Sequence, residues 1–505
     1  MNKKKLFKIC GLIAILLVGG VFSACSSAGA ISTYTIPLTE MPKNLDAQVA
    51  TSPQEILVLT NIYDGLYDFV GGEAVPNLAK SCAVSQDGLE YTFILKETSS
   101  FYAKGVPAVP VKAKDFIFSF TRIQDPNTHS PYYDEFKNIV EMEAPDDYTL
   151  KIKLARRDGN FLDKLCIPAA SPCNEEFFKS TQGAYGLGVK NIMSNGPFAV
   201  NYLADDDSYA TLVRVVDNKN AIARIRLSLN DGETTPEKMF KEDRISGFFA
   251  QGKLSENLEC KKESFMGTNV NLIFNMEKPE YKNENIRKAL AYYAFGMENS
   301  GANLAAVKQS YSAFTDTLSF SNKGINEQIT LKKPDYLGQN PKNICQEGLG
   351  ELGQTKLTGT KVLLPSDSPY TVIFENINQL WQKELGQFFS LELLPQSEIT
   401  KRIAAGNFDI AFSDYTPQIN SPFVVLDGYT PYDADIDFYT KEAYKNAGSP
   451  EMLVDIEQSH NLLLNRAYIV PMCKNESNYC YKKYFENVVI NPFGNIINLK
   501  YATVK

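Results

Sequence analysis

The chain has 505 residues, a formal net charge of −8 and only two histidines, His129 and His460. An acidic chain is a poor partner for nucleic acid, and two imidazoles leave a histidine-based triad or a histidine-rich metal site almost nothing to draw on. The length exceeds what a single core supports, so two or three domains are expected.

The opening stretch "MNKKKLFKICGLIAILLVGGVFSAC" has a basic start, an apolar run from Ile9 to Phe22, and small residues before Cys25. The run is shorter than the roughly 20 residues of a membrane-spanning helix, and the order is that of a secretory signal peptide. "FSAC" resembles a bacterial lipobox, although Phe22 stands where leucine is usual. Residues 1–24 are read as a lipoprotein signal peptide, Cys25 as the lipidated residue and 25–31 as the lipidated cysteine with its flexible tether. Loss of Lys3, Lys4, Lys5 and Lys8 with the leader makes the remaining chain more acidic still.

"STYTIPL" (Ser32 to Leu38) reads as an opening strand. "SPQEILVLTNIYDGLYDF" has a helical pattern that starts at Pro53 and puts Ile56, Leu59, Tyr63 and Leu66 on one face. "AVPNLAKSCAVSQDGLEYTFILK" reads as a strand, a Gln-Asp-Gly turn and a strand alternating at Tyr91, Phe93 and Leu95. "VKAKDFIFSFTRIQDP" is a short helix ended by Pro126. "ARIRLSLNDGETTPEKMFKEDRISGFFA" reads as strand, helix, strand, with Thr235 as N-cap and Pro236 as the first helical residue. "NVNLIFN" is a strand. "NENIRKALAYYAFG" is a helix capped by Asn283 or Asn285, with Ile286, Leu290 and Tyr293 on one face.

The clearest unit runs from Lys361 to Phe412. "KVLLP", "LELL" and "FDIAF" are strands. "NINQLWQKELGQFF" is an amphipathic helix with Ile377, Leu380, Trp381, Leu385 and Phe388 inward, and "EITKRIAAG" is a helix ended by Gly406. This βαβαβ order implies parallel strands with right-handed crossovers. Ligands of such sheets sit beyond the carboxyl ends of the strands, and the loop "SDYTPQINSP" leaves from one of those ends. His460, in "IEQSHNLLLN", falls on the polar side of a helical pattern and is expected at the surface.

Beyond Cys10 in the leader and Cys25, the cysteines are Cys82, Cys166, Cys173, Cys260, Cys345, Cys473 and Cys480, an odd number that cannot all pair within one chain. The spacings of Cys166/Cys173 and Cys473/Cys480 are not those of a zinc site. They allow a local disulfide after export, but plain buried thiols are the expectation. No Gly-rich phosphate loop, G-x-S-x-G elbow or H-E-x-x-H appears, so no cofactor, metal or catalytic residue is expected and the chain is not read as an enzyme.

Taken in order, these segments resemble the bacterial extracellular solute-binding protein family 5, the lipid-anchored receptors of peptide ABC importers. "NLDAQVA" looks like the family's "LDP" opening, and "NIYDGLYDF" like its "L-Y-E-G-L" helix. "PNLAKSCAVSQDGLEYTFILK" is similar to "P-x-L-A-x-S-W-x-V-S-x-D-G-x-x-Y-T-F-x-L-R", and "VKAKDFIFSFTRIQDP" to "V-T-A-x-D-V-x-x-S-F". "SNGPF" and "LIFNMEKPEYKNENIRKALAYY" also have counterparts. "DPNTHSPYYDEF" looks like the "D-P-x-T-x-S-P-Y" of oligopeptide-binding members, in which the tyrosine faces the bound peptide; here that is Tyr132.

The resemblance implies an α/β, two-lobed periplasmic-binding-protein clamshell (class II, cluster C type) with an extra small α+β domain. Lobe 1 would comprise 32–64, 186–270 and 476–505, with 65–185 as the extra domain, and lobe 2 would be 271–475. Two crossing strands near "LIFN" and "AYIVPMCKN" would form the hinge. The implied role is capture of a short peptide for an ABC transporter permease, by a monomer held to the outer face of the cytoplasmic membrane through its lipid, with no nucleic-acid partner.

The departures from the family bear on the ligand. Oligopeptide-binding members follow "FDIAF" with "G-W-x-A-D-Y-x-D/E-P", whose aspartate pairs the ligand's ammonium. Without a gap, the tryptophan falls on Tyr415 and the aspartate on Gln418; with a four-residue shift, Asp414 is the acid. The family's "S-W" tryptophan is Cys82. Arg402 sits where peptide-binding members often carry a basic residue, and Thr51, directly after "NLDAQVA", completes the candidate ligand-binding set of Tyr132, Tyr415, Asp414, Gln418, Arg402 and Thr51. The missing aspartate keeps open a non-peptide or amino-blocked cargo such as an opine or glycoside. A sensory or adhesive surface lipoprotein is the other alternative.

Overall fold

The computed structural model describes residues 33–505 apart from 205, 207, 219, 231, 252, 253, 256, 301–307, 322 and 367. The leader, Cys25 and the tether fall outside the described residues. Among those described, no helix is long and apolar enough to cross a membrane.

β1 (Thr33–Leu38) alternates half-buried and buried positions, with Tyr34, Ile36 and Leu38 inward. α1 (Pro53–Ile62) begins in a capping box: Ser52 accepts from the Glu55 N–H, and the Glu55 carboxylate reaches back to the Ser52 N–H. The helix stops at Ile62, so Tyr63 and Leu66 lie beyond the face on which they were expected, although both are buried. β2 (Ala79–Val84) and β3 (Glu90–Leu95) make the expected hairpin. With β4 (Ile139–Asp146) and β5 (Thr149–Leu154) they form an antiparallel sheet in the order β2-β3-β5-β4. α2 (Ala113–Gln124) lays Phe116 and Phe120 into the same core as Phe93 and Leu150. A short helix, α3 (Phe161–Lys164), follows.

β6 (Phe198–Leu203), β7 (Tyr209–Arg214) and β8 (Arg224–Leu229) return to the first strand, and β8 pairs parallel with β1. α4 (Pro236–Lys241) has the expected cap, Thr235 accepting from the Lys238 N–H at 3.3 Å. β9 (Gly247–Gln251) precedes the long β10 (Lys261–Phe274). α5 (Glu284–Ala291) is capped by Asn283, not Asn285.

β11 (Lys361–Pro365), α6 (Thr371–Leu385), β12 (Ser390–Leu394), α7 (Gln396–Ala404) and β13 (Ile410–Tyr415) are the βαβαβ unit, and β11 pairs parallel with both β12 and β13. α8 (Ala434–Lys445), α9 (Glu451–Asn465) and β14 (Ile469–Tyr481) follow. One sheet of six strands, β9-β14-β10-β13-β11-β12, collects these pieces. The register runs from Lys261↔Tyr481 to Ile273↔Ile469. β9 pairs with the 477–481 end of β14, whereas β13 pairs with the 269–274 end of β10. β10 and β14 thus run side by side from the core under β1 to the core under β13. These are the two strands that the family resemblance placed at the hinge.

Three large cores follow from this topology. One holds Ile36, Leu59, Phe198 and Leu227 with Phe485 and Leu499 from the C-terminus. A second lies under the β2–β5 sheet. The third holds Leu272, Leu290, Val362, Phe374, Trp381, Phe412 and Leu463. We refer to the first two as one lobe and to the third as the other.

Two expectations are corrected. Phe388 is 65% exposed, and Phe389 is buried instead. α6 ends at Leu385, and Gly386 turns the chain at φ 71°, so helical spacing no longer predicts the inward side. Within the helix, Leu380 is only half-buried. His460 is fully buried rather than at the surface. Its Nε2 accepts from the Ala313 N–H at 3.1 Å, Ser312 Oγ lies 3.0 Å away, and its ring packs on Phe314. A non-regular segment of the chain covers what the helical pattern reads as a polar side.

Candidate functional site

The site is built on the end of β13. Ile410, Ala411 and Phe412 are fully buried, and Phe412 stacks on Phe374 (4.5 Å, 11°) and Trp381 (6.0 Å, 16°). This aromatic stack anchors the strand on one side, while β10 pairs with it on the other through Leu272↔Phe412 and Asn269↔Tyr415. The following loop emerges at the carboxyl end of the parallel strands and crosses to the opposite lobe. Thr416 Oγ1 lies 2.6 Å from Thr268 Oγ1, and the Pro417 carbonyl accepts from the Gly494 N–H at 3.1 Å. The Asn420 carbonyl accepts from Asn160 Nδ2 at the edge of α3, and Asn420 Oδ1 accepts from the Ser319 N–H at 2.9 Å.

A cavity of about 190 Å³ lies where this loop faces the other lobe; Ile56, Phe69, Tyr132, Glu135, Gln418 and Ile496 are among its walls. Tyr132 donates its hydroxyl to the Ala50 carbonyl at 2.6 Å, and Ser130 donates to the Gln48 carbonyl at 2.6 Å. The "SPY" turn therefore clamps residues 48–50 and leaves Thr51, the next residue, exposed.

The candidates divide into two groups. Tyr132 and Gln418 both line the cavity, Thr51 adjoins the clamp, and Tyr415, which with Asp414 lines a separate cavity of about 540 Å³, lies close enough to Glu135 to feel its charge. The Tyr415 hydroxyl is enclosed and has no hydrogen-bond partner among the described residues. Burial first, and then the Glu135 carboxylate, push its proton affinity well up. Asp414 turns away: its Oδ2 accepts from Asn475 Nδ2 at 3.4 Å on β14, its N–H donates to Gln396 at 3.3 Å, and its charge is felt by Cys473 and Tyr370. Arg402 lies on α7 and pairs with Glu392 at 2.8 Å and Glu398 at 3.4 Å, so the structure does not bring it to the cavity.

Reading from sequence missed Glu135, although it lies three residues after Tyr132 in "SPYYDEF", a spacing that puts both on one side of a helical turn. Burial raises its carboxyl above the usual range. Lys164 of α3, itself buried, sits 2.9 Å from Asp158 and 3.6 Å from Glu135; burial pulls its ammonium down, but Asp158 and then Glu135 more than reverse this. Asp68, the other carboxylate on the cavity wall, is saturated by Lys500 at 2.6 Å and the Tyr501 hydroxyl at 2.8 Å.

Further contacts span the seam. The Arg156 guanidinium covers the Tyr444 ring at 3.6 Å, and the Tyr444 hydroxyl donates to Asp427 at 2.6 Å. A Cβ on Gly159 would come within 2.7 Å of the Gly448 nitrogen. A second, polar cavity of about 550 Å³ opens beside these contacts, with Gln86, Arg157, Asp163, Ser319 and Asn420 among its walls. Burial pushes the Asp163 carboxyl up to about 6. The lobes thus meet face to face, with the smaller, partly open cavity between them. Among the described residues, no three His, Cys, Asp or Glu side chains gather as a possible metal-ligand set.

Known proteins share this architecture. The sequence profile of "Bacterial extracellular solute-binding proteins, family 5 Middle" matches residues 73–435. The dipeptide-binding protein DppE of Bacillus subtilis is 24% identical over 507 aligned positions, covering 91% of this chain and 90% of its own. The oligopeptide-binding protein AmiA of Streptococcus pneumoniae is 28% identical over 50% of this chain and 42% of its own. Among solved structures, Listeria monocytogenes OppA bound to peptide superposes with a TM-score of 0.75 at 20% identity, covering 94% of this chain and 99% of that one. Haemophilus influenzae OppA in complex with RPPGFSPFR gives 0.76 at 17% identity, with the same coverage. The fold is therefore the two-lobed clamshell of these binding proteins.

Proposed function

The chain belongs to family 5 of the bacterial extracellular solute-binding proteins, and on that footing we propose that it captures a short peptide between its lobes and delivers it to an ABC importer. The observation that carries this reading is the cavity lined by both Tyr132 and the loop after β13. An extended peptide brings its own N–H and C=O groups, and a receptor that meets them by strand-like backbone pairing can ignore side-chain identity. The relatives named for dipeptide or oligopeptide binding support the same cargo class.

Tyr132, Tyr415, Gln418 and Thr51 are the ligand-facing residues in this reading. Glu135, which shares Lys164 with Asp158 at the longer distance of 3.6 Å, is the acid on the cavity wall that would meet the ligand's ammonium, because Gln418 is neutral, Asp414 faces Asn475, and Asp68 is paired more closely by Lys500. The role is binding without turnover. The protein works as a monomer, attached through lipid on Cys25 to the outer face of the cytoplasmic membrane, with permease subunits as its docking partners. Lobe 1 comprises 32–64, 186–270 and 476–505 with the 65–185 extension, and lobe 2 comprises 271–475.

Mass spectrometry of ligand co-purified with the protein, followed by calorimetry against free and N-acetylated peptide libraries, tests this reading. Bound peptides, and loss of affinity on acetylation, are expected; a sugar or an opine with no peptide overturns it. The neutral Gln418 on the cavity wall favours a second reading, an amino-blocked cargo, which predicts instead that acetylated peptides bind at least as well.

A further inference from the structure

All seven cysteines among the described residues are free thiols. Five have neighbours of other kinds. Cys82 lies against Tyr67, Cys166 donates to the Leu162 carbonyl at 3.4 Å, Cys173 sits 3.8 Å from Arg122, Cys345 is buried in the core of the second lobe, and Cys473 faces Tyr370 and Asp414. Cys473 and Cys480, close in sequence, lie along the single extended strand β14 and cannot meet.

Cys260 and Cys480 are different. They are remote in sequence, yet their thiols lie within hydrogen-bond reach of each other. They share a small core with Met239, Phe240, Ile245 and Phe248, in which Cys480 is fully buried and Cys260 sits at the half-open edge. The register explains the meeting. Lys262 of β10 faces Cys480 of β14, so their side chains share a face of the sheet. Cys260 lies two residues earlier, just ahead of the strand, and packs into the same small core as Cys480. β9 closes the other side through Phe248↔Cys480.

We propose that Cys260 and Cys480 form an oxidisable pair and that the exported protein carries a disulfide between them. The oxidant is an external disulfide. The Cys260 thiolate, at the open edge, attacks one of its sulfurs and releases the first thiol. The Cys480 thiolate then attacks the Cys260 sulfur of the mixed disulfide and releases the second. Two cysteine thiols are oxidised, one external disulfide is reduced to two thiols, and the two cysteine protons pass to the leaving thiolates. Burial pushes the Cys480 thiol well up, so this second step is slow at neutral pH and accelerates as pH rises. The bond would close a loop that contains the whole second lobe and would tie β10 to β14 at their first-lobe end. Long loops are those whose closure most restricts the unfolded chain.

The inference uses the extracytoplasmic setting of the family and not its cargo, so thiol mapping and peptide binding succeed or fail separately. The purified full chain is incubated with oxidised glutathione at pH 8.5, quenched with acid, alkylated in denaturant, digested and mapped by mass spectrometry. One cross-linked peptide pair through Cys260 and Cys480 is expected, with the other five cysteines alkylated. Cys480→Ser should instead retain glutathione on Cys260, and Cys260→Ser should yield no cross-link. Alkylation of both residues in the native sequence, glutathione trapped on its Cys260, or cross-links scattered among other cysteines would each overturn the proposal.

Discussion

Tyr132, on the cavity wall, is held by a hydrogen bond from its hydroxyl to the Ala50 carbonyl, at 2.6 Å. Tyr132→Phe keeps the ring and removes the bond. A neutral hydrogen bond contributes about 1 kcal/mol, so peptide affinity should fall roughly fivefold by calorimetry while the melting temperature hardly moves; unchanged affinity would show that the clamp is not part of the site. His460 makes a second, independent prediction. Burial pushes its imidazole down from an ordinary 6.5 to about 4. The unfolded chain therefore takes up a proton at higher pH than the folded one. Its contribution is fully present above pH 6.5 and is lost as pH falls toward 4, about 3 kcal/mol in all. Asp163 and Asp115, both raised by burial to about 6, act with the opposite sign. The comparison with His460→Asn isolates the histidine: urea unfolding of the variant between pH 7.5 and 4.5 should show less loss of stability toward acid than the native chain. The burial of His460 was not legible from its helix, because the segment at 312–314 that covers it arrives from far along the chain.

Helix α6 and strand β13 show what local pattern does and does not determine. The spacing of Ile377, Trp381 and Leu385 identified the buried stripe, and all three are buried. The same spacing failed at Phe388, where the chain has left the helix. Trp381 is the keystone of this packing: it stacks on Phe412, meets Phe389 edge-on and donates its Nε1–H to the Leu290 carbonyl at 3.0 Å. Trp381→Ala opens a cavity beneath the strand that carries the site and leaves that carbonyl unpaired. A loss of about 3–5 kcal/mol is expected in denaturant unfolding; a loss below about 1 kcal/mol would mean that the stack does not anchor β13.

For the molecule as a whole, the contacts across the seam between the lobes include two that single substitutions can remove. Arg156 covers Tyr444, and Asn160 donates to the Asn420 carbonyl. An exposed cation–π contact contributes roughly 0.5–1 kcal/mol, and the hydrogen bond about as much again. Closure traps ligand, so removing closure contacts shifts the lobes toward the open arrangement and weakens binding by the same free energy. Arg156→Ala combined with Asn160→Ala should enlarge the ligand-free radius of gyration in small-angle scattering and reduce peptide affinity roughly tenfold. No change in either would mean that closure is governed elsewhere.

By itself the sequence determined the elements and their order: the capped helix at Pro53, the hairpin at 79–95, the parallel βαβαβ unit and the ordered family motifs. These depend on periodicity, turn residues and caps, which act within a few residues of one another. It also located the loop after β13, because a parallel strand end is a local consequence of the βαβαβ order. Tertiary structure alone decided that Gln418 lines the same cavity as Tyr132 while Asp414 turns to Asn475, that Glu135 borders that cavity, and that Cys260 meets Cys480. Each of these depends on which distant strand or lobe lies opposite, and long-range register cannot be read from the residues on one side of it.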